Sequence, residues 1–153
     1  MPKGFWWIVE IAALCAFLAI LALTLICYDA LPATIPIHFG PSGTPDGYGS
    51  KATLIFLVVI DTIVFVVLST TPFFPNSINM PGPRTAESIQ AGIAMTRILK
   101  LEVMLFMVYV TRMIIQTAHG NANGLGGIVP LLFVFALVST IGAGFYTSTR
   151  NAN

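Results

Sequence analysis

A chain of 153 residues that is 56% hydrophobic, 8% charged and +0.88 in mean hydropathy has the composition of an integral membrane protein. Soluble domains carry roughly a quarter charged residues. A net charge of +1 supplies no basic field, so nucleic acid is excluded as a partner and the lipid bilayer is the expected one.

The first apolar run covers residues 5–28. Lys3 precedes it, as in a signal peptide, but the run exceeds the ~7–15 residues of a signal core and no small-x-small site closes it. It reads as a retained transmembrane helix, with Trp6 and Trp7 at one interface and Tyr28 at the other. Cys15 and Cys27 lie twelve residues apart on it, roughly 18 Å along a helix, too far to bridge. They are expected to be small apolar fillers.

Residues 29–51 break the pattern with a turn-rich loop, IPIHFGPSGTPDGYGSK at its centre. Pro36 and Pro45 fix φ and remove donors. Thr44-Pro45-Asp46-Gly47 suits a β-turn, after another turn from Gly40 to Gly43. Weak alternation over residues 34–39 allows a short strand. The expectation is an ordered cap, with Ile35, Ile37, Phe39 and Tyr48 docked on the helix ends and Lys51 at the interface.

Residues 52–74 form the second apolar run, closed by Pro72 and Pro75. Residues 76–84 are turn-forming. From Thr85 the pattern is helical, and fits an interfacial stretch or an N-terminal extension of the third span equally. The third and fourth runs cover residues 99–118 and 125–147, joined by the loop HGNANGLGG. Each run suffices to cross a ~30 Å hydrocarbon core. The predicted fold is an all-α, single-domain bundle of four transmembrane helices over residues 1–153, with an ordered extracytoplasmic loop. Lys3, Arg84, Arg97, Lys100 and Arg150 lie at one side of the membrane and Lys51 at the other, which places both termini in the cytoplasm of a multi-pass cell-membrane protein.

Ionisable residues at membrane depth face bundle interiors, usually in pairs. Counting rise from the loop side puts Asp61 at about 14 Å and Arg112 at about 9 Å. An Asp61–Arg112 pair is therefore expected, read as a clamp between helices rather than a relay. Glu10 and Lys100 match in depth at the opposite side and form a second expected pair. Ala12, Ala16 and Ala19 on the first helix, and Ala136, Thr140 and Gly144 on the fourth, form small-residue stripes that permit close packing.

His38, Asp46, His119 and Asp29 carry metal-ligating chemistry, but their spacing fits no standard zinc pattern. The simpler reading is a His38–Asp46 hydrogen bond that pins the loop. No metal or other cofactor is expected. The sequence has no G-x-S-x-G, H-E-x-x-H, P-loop or C-x-x-C, and Ser69 and Ser139 have no base in sequence reach. A non-enzymatic role is expected.

The stretch LPATIPIHFGPSGTPDGYGSK, residues 31–51, resembles the hallmark of a prokaryotic membrane family of unknown biochemical function, which also occurs in SdpI-type toxin-immunity proteins. Matching positions are Pro32, Ile35, Pro36, His38, Phe39, Gly43, Pro45, Asp46, Gly47, Tyr48, Gly49 and Lys51. Gly40 stands where family members often carry asparagine, and the further helices of SdpI-type proteins have no match among the four runs. The resemblance assigns no catalytic role to any position. It implies binding, sensing or immunity toward a secreted peptide. An accessory subunit with membrane-protein partners is the alternative, and a small transporter comes third because four helices are few for a pathway.

Overall fold

The computed structural model describes residues 3–150. In chain order these form α1 (Lys3–Cys27), β1 (Thr34–Phe39), β2 (Pro45–Ser50), α2 (Ala52–Thr70), α3 (Ala86–Ala118) and α4 (Ile128–Arg150). Single 3₁₀ turns at Thr71–Phe73 and Pro75–Ser77 follow α2. Gly4–Cys27, Ala52–Phe73 and Ile128–Arg150 are long and apolar enough to cross a membrane. α3, which contains the expected third span, is not among them; it carries Arg97, Lys100, Glu102 and Arg112.

α3 is the central helix and packs against α1, α2, α4 and β1. Its 33 residues rise about 50 Å, well beyond a bilayer core. It starts at Ala86 rather than near residue 99, so residues 85–98 extend one continuous helix. The cause is local. Thr85 Oγ1 accepts from Ser88 N at 3.1 Å, and Ser88 Oγ accepts from Thr85 N at 3.0 Å, a reciprocal cap that satisfies two orphan donors.

The other boundaries also shift for identifiable reasons. α2 gives way to a 3₁₀ turn at Thr71 because Pro72 cannot continue the hydrogen-bond ladder. α4 begins at Ile128 rather than Leu125. Gly124 and Gly126 take positive φ, and Leu125 N bonds to Gly43 O at 2.8 Å, which holds this stretch as a loop.

The loop after α1 is a β-hairpin, so the chain is mostly helical rather than all-α. Its turn lies from Gly40 to Gly43, closed by Gly43 N bonding to Gly40 O at 2.8 Å. The expected turn at Thr44–Gly47 does not form; Pro45, Asp46 and Gly47 lie in β2. Gly43 is the residue that can adopt the required φ of +77° here, and a Cβ on it would collide with the Gly126 backbone. The register slips between Pro36 and His38 and again before Phe39, so strict alternation is lost. Consequently Ile35 and Pro36 are buried, Phe39 is half-buried, and Ile37 and Tyr48 face outward instead of docking on the helices.

Two apolar clusters fill the α1–α2–α3 interior. At the hairpin end, Leu31, Ile35, Leu54, Ile114 and Ile115 pack together. Nearer the termini, Ala16, Ile20 and Met104 do so, with Phe17 stacked on Phe65. α1 presents Val9, Ala13, Ala16, Ile20 and Thr24 inward at helical spacing. α4 makes its main contacts with α3 alone. Its small residues serve this intrachain packing: a Cβ on Gly144 would come within 2.5 Å of Met95 Sδ.

Candidate functional site

The hairpin is fastened at three places. Lys51 Nζ donates to the carbonyls of Tyr28 at 3.1 Å and Leu31 at 3.2 Å, and lies 4.8 Å from the Tyr28 ring centroid. This cation answers the carbonyls around the end of α1, where the helix leaves acceptors unsatisfied. Ile35 enters the apolar cluster. The turn docks on the α3–α4 loop through the Gly43–Leu125 bond, and Tyr109 Oη donates to Leu125 O from α3.

The opposite face is bare. His38 Nδ1 pairs with Asp46 Oδ1 across the strands, yet their side chains are 71% and 51% exposed. Tyr48 and Ile37 are exposed beside them. His119 and Asp29 do not join the pair. His119 Nδ1 bonds back to Ile115 O at 2.9 Å, and among the described residues no three His, Cys, Asp or Glu side chains stand close enough to share a metal ion. Of the matched loop residues, Ile35, Pro36 and Gly43 are buried, and Phe39, Pro45, Gly47, Gly49 and Lys51 are partly buried. They shape the hairpin rather than present chemistry.

The second polar constellation lies at the end that holds the termini. Lys100 is fully buried and donates to Glu10 Oε2 and, at 3.0 Å, to Ser69 Oγ. Arg97 Nε stands 3.1 Å from Glu10 Oε1, and its guanidinium lies 5.5 Å from the Trp6 ring centroid. Glu10 therefore faces two cations, joining α1, α2 and α3 at one level. Glu102 Oε1 accepts from Thr140 on α4 at 2.6 Å. Arg97, Ser69, Glu102 and Thr140 were absent from the expected pairs. Helical geometry carries a signal for them. Arg97 and Lys100 are three apart and share a face. Lys100 and Glu102 are two apart, about 200° around the helix, and so address different neighbours.

Asp61 and Arg112 are not brought together. Asp61 is buried, and its Oδ2 has no hydrogen-bond partner; Arg112 is exposed. The adjacent Thr111 is the α3 residue that faces the interior, and one further step of about 100° turns Arg112 away. Thr24 Oγ1 and Thr111 Oγ1 are likewise buried without partners, on the inward faces of α1 and α3.

The family comparison falls on the hairpin and its flanking helices. A family model described as a domain of unknown function (DUF1648) matches residues 15–63, from within α1 through the hairpin into α2. An uncharacterized protein of Archaeoglobus fulgidus is 34% identical over 65 residues, covering 37% of this chain. The chain spans 36% of the length of that relative. No solved structure matches.

Proposed function

We propose that this chain is a non-enzymatic, multi-pass cell-membrane protein that binds or senses an extracytoplasmic peptide through its hairpin, in the manner of the SdpI-type immunity proteins its loop resembles. In this reading α3 is the fourth transmembrane helix and both termini are cytoplasmic. Two features support the crossing. α3 packs among three apolar helices, and its inner charges are answered by Glu10, Ser69 and Thr140. The excess of Lys and Arg at the termini end supports the orientation.

One observation carries the binding role. The hairpin is rigidly mounted on one side and bare on the other, with His38, Asp46, Ile37 and Tyr48 exposed and not needed for packing. A two-stranded sheet also has open edges, which an extended peptide can join by strand addition.

The test is survival of a bacterium that a secreted peptide toxin kills. Expression of the chain should raise survival. The double variant His38→Ala/Tyr48→Ala should lose that protection while remaining in the membrane. Protection by the double variant equal to wild type, or none from the wild type, would sink the reading. A Tyr48→Cys variant lacking Cys15 and Cys27 should react with a membrane-impermeant maleimide on intact cells.

An accessory-subunit role is the second reading. Its support is α4, which contacts mainly α3 and leaves Leu131, Phe135, Val138 and Phe145 exposed. A stoichiometric partner in mild-detergent purification would favour it over peptide binding.

A further inference from the structure

A groove of about 920 Å³ opens at the termini end between the start of α1, the first half of α3 and the second half of α4. Its wall is largely apolar, with Trp6, Ile93, Met95, Ile98 and Ala143 along it. This is within the size range of small-molecule sites, about 300–1,000 Å³. The groove exists because α4 leans on α3 alone and Gly144 seats against Met95, which leaves the neighbouring flank of α3 uncovered.

One charged group faces this space with spare capacity. Arg97 lines the groove, and its side chain is 24% exposed. Its Nε stands 3.1 Å from Glu10 Oε1 but is buried without a hydrogen-bond partner, and the guanidinium makes no hydrogen bond among the described residues. Glu10 is shared by Arg97 and Lys100, whereas Glu102, the other acid of the constellation, is turned to Thr140. Lys100 is fully buried and occupied by Glu10 and Ser69, so Arg97 is the cation left open to the groove. Glu87 also lines the groove, but ten residues of α3, about 15 Å, separate it from Arg97. Trp6, stacked against the guanidinium, marks headgroup depth.

We propose that this groove binds an anionic phospholipid of the leaflet at the termini end, with the phosphate on Arg97 and an acyl chain along the apolar wall. A guanidinium with free N–H groups matches phosphate oxygens in pairs. Basic pockets between transmembrane helices on the cytoplasmic side hold anionic headgroups in the same way. The inference rests on the membrane reading above, and is independent of what the hairpin binds.

The test is native mass spectrometry of the full chain in mild detergent, titrated with phosphatidylglycerol or phosphatidylcholine of identical acyl chains. Wild type should retain phosphatidylglycerol several-fold better. Arg97→Gln should bring that ratio to about one, and Arg97→Lys should keep part of it. Ala143→Phe fills the groove without touching the charge cluster, and should reduce retention of both lipids. Equal retention by wild type, or an undiminished preference in Arg97→Gln, would overturn the proposal. So would displacement of the lipid by inorganic phosphate alone, which would show a simple anion site. Flotation with phosphatidylcholine vesicles separates the two readings. A chain that floats but shows no lipid preference defeats the groove and spares the membrane assignment; a chain that does not float defeats both.

Discussion

The two ends of the bundle are held by different physics. At the termini end the helices are tied by side-chain polarity: Lys100 to Glu10 and Ser69, Arg97 to Glu10, Glu102 to Thr140, and Ser148 Oγ to Pro81 O at 2.9 Å. At the hairpin end the ties are apolar burial and bonds to main-chain carbonyls: Leu31, Ile35 and Leu54 in one cluster, Lys51 on two carbonyls, and Leu125 on Gly43. The contrast follows from what each end has to hold. The buried charges of α3 need partners, because an unpaired buried charge is costly. The hairpin carries apolar side chains that gain by leaving water, and its open carbonyls need donors.

This contrast can be broken from either side. The largest effect is expected from Lys100→Met. It leaves Glu10 short of a cation and Ser69 without its donor, and removing one partner of a buried ion pair costs about 3–5 kcal/mol. Denaturation in mixed micelles should show a loss of that size, and a change below about 1 kcal/mol would mean the cluster is incidental. Leu54→Ala attacks the other end. Leu54 is 1% exposed, and such truncations cost about 2–5 kcal/mol. Protease resistance of the hairpin should fall with this variant and not with Lys100→Met. Asp61→Asn sharpens the comparison from within the membrane. Asp61 lacks the cationic partner that Glu10 has, so the neutral isostere should be tolerated within about 1 kcal/mol, or stabilise. A loss as large as that of Lys100→Met would reveal an unrecognised partner. The smallest effect belongs to His38→Ala. The pair is mostly exposed, and such pairs contribute about 0–1 kcal/mol. The melting temperature should hardly move, whereas a binding role predicts lost function in the same variant.

Much of the plan was legible in the apolar runs. Their lengths mark four helices, three of which are long and apolar enough to cross a membrane, and the turn-rich loop stood apart as an ordered element. The strand over Thr34–Phe39 was readable from its β-formers. Of the two turns expected in the loop, the one at Gly40–Gly43 forms and the one at Thr44–Gly47 does not. Pro45-Asp46-Gly47 has turn chemistry, but Gly40–Gly43 satisfies the closing bond and the one positive φ, and the remaining residues were taken into β2. The intramembrane charges divide in the same way. Rise per residue estimates depth, and by depth alone Glu10 meets Lys100 as readily as Asp61 meets Arg112. Depth says nothing about the direction a side chain points. Thr111 rather than Arg112 occupies the inward position on α3, and that azimuth depends on which three helices surround it.

What the sequence determined by itself was solvent preference. Runs of apolar residues need lipid, charges cluster at the ends of the bundle or on α3, and glycines and prolines shape the hairpin, because these properties belong to single residues and their spacing. What only the tertiary structure decided was partnership. It made α3 the central helix, gave Glu10 two cations and Asp61 none, set the hairpin turn against Leu125, and left a groove beside Arg97. Those outcomes depend on the rotation of each helix about its axis and on which neighbours fill each flank, and neither is encoded locally along the chain.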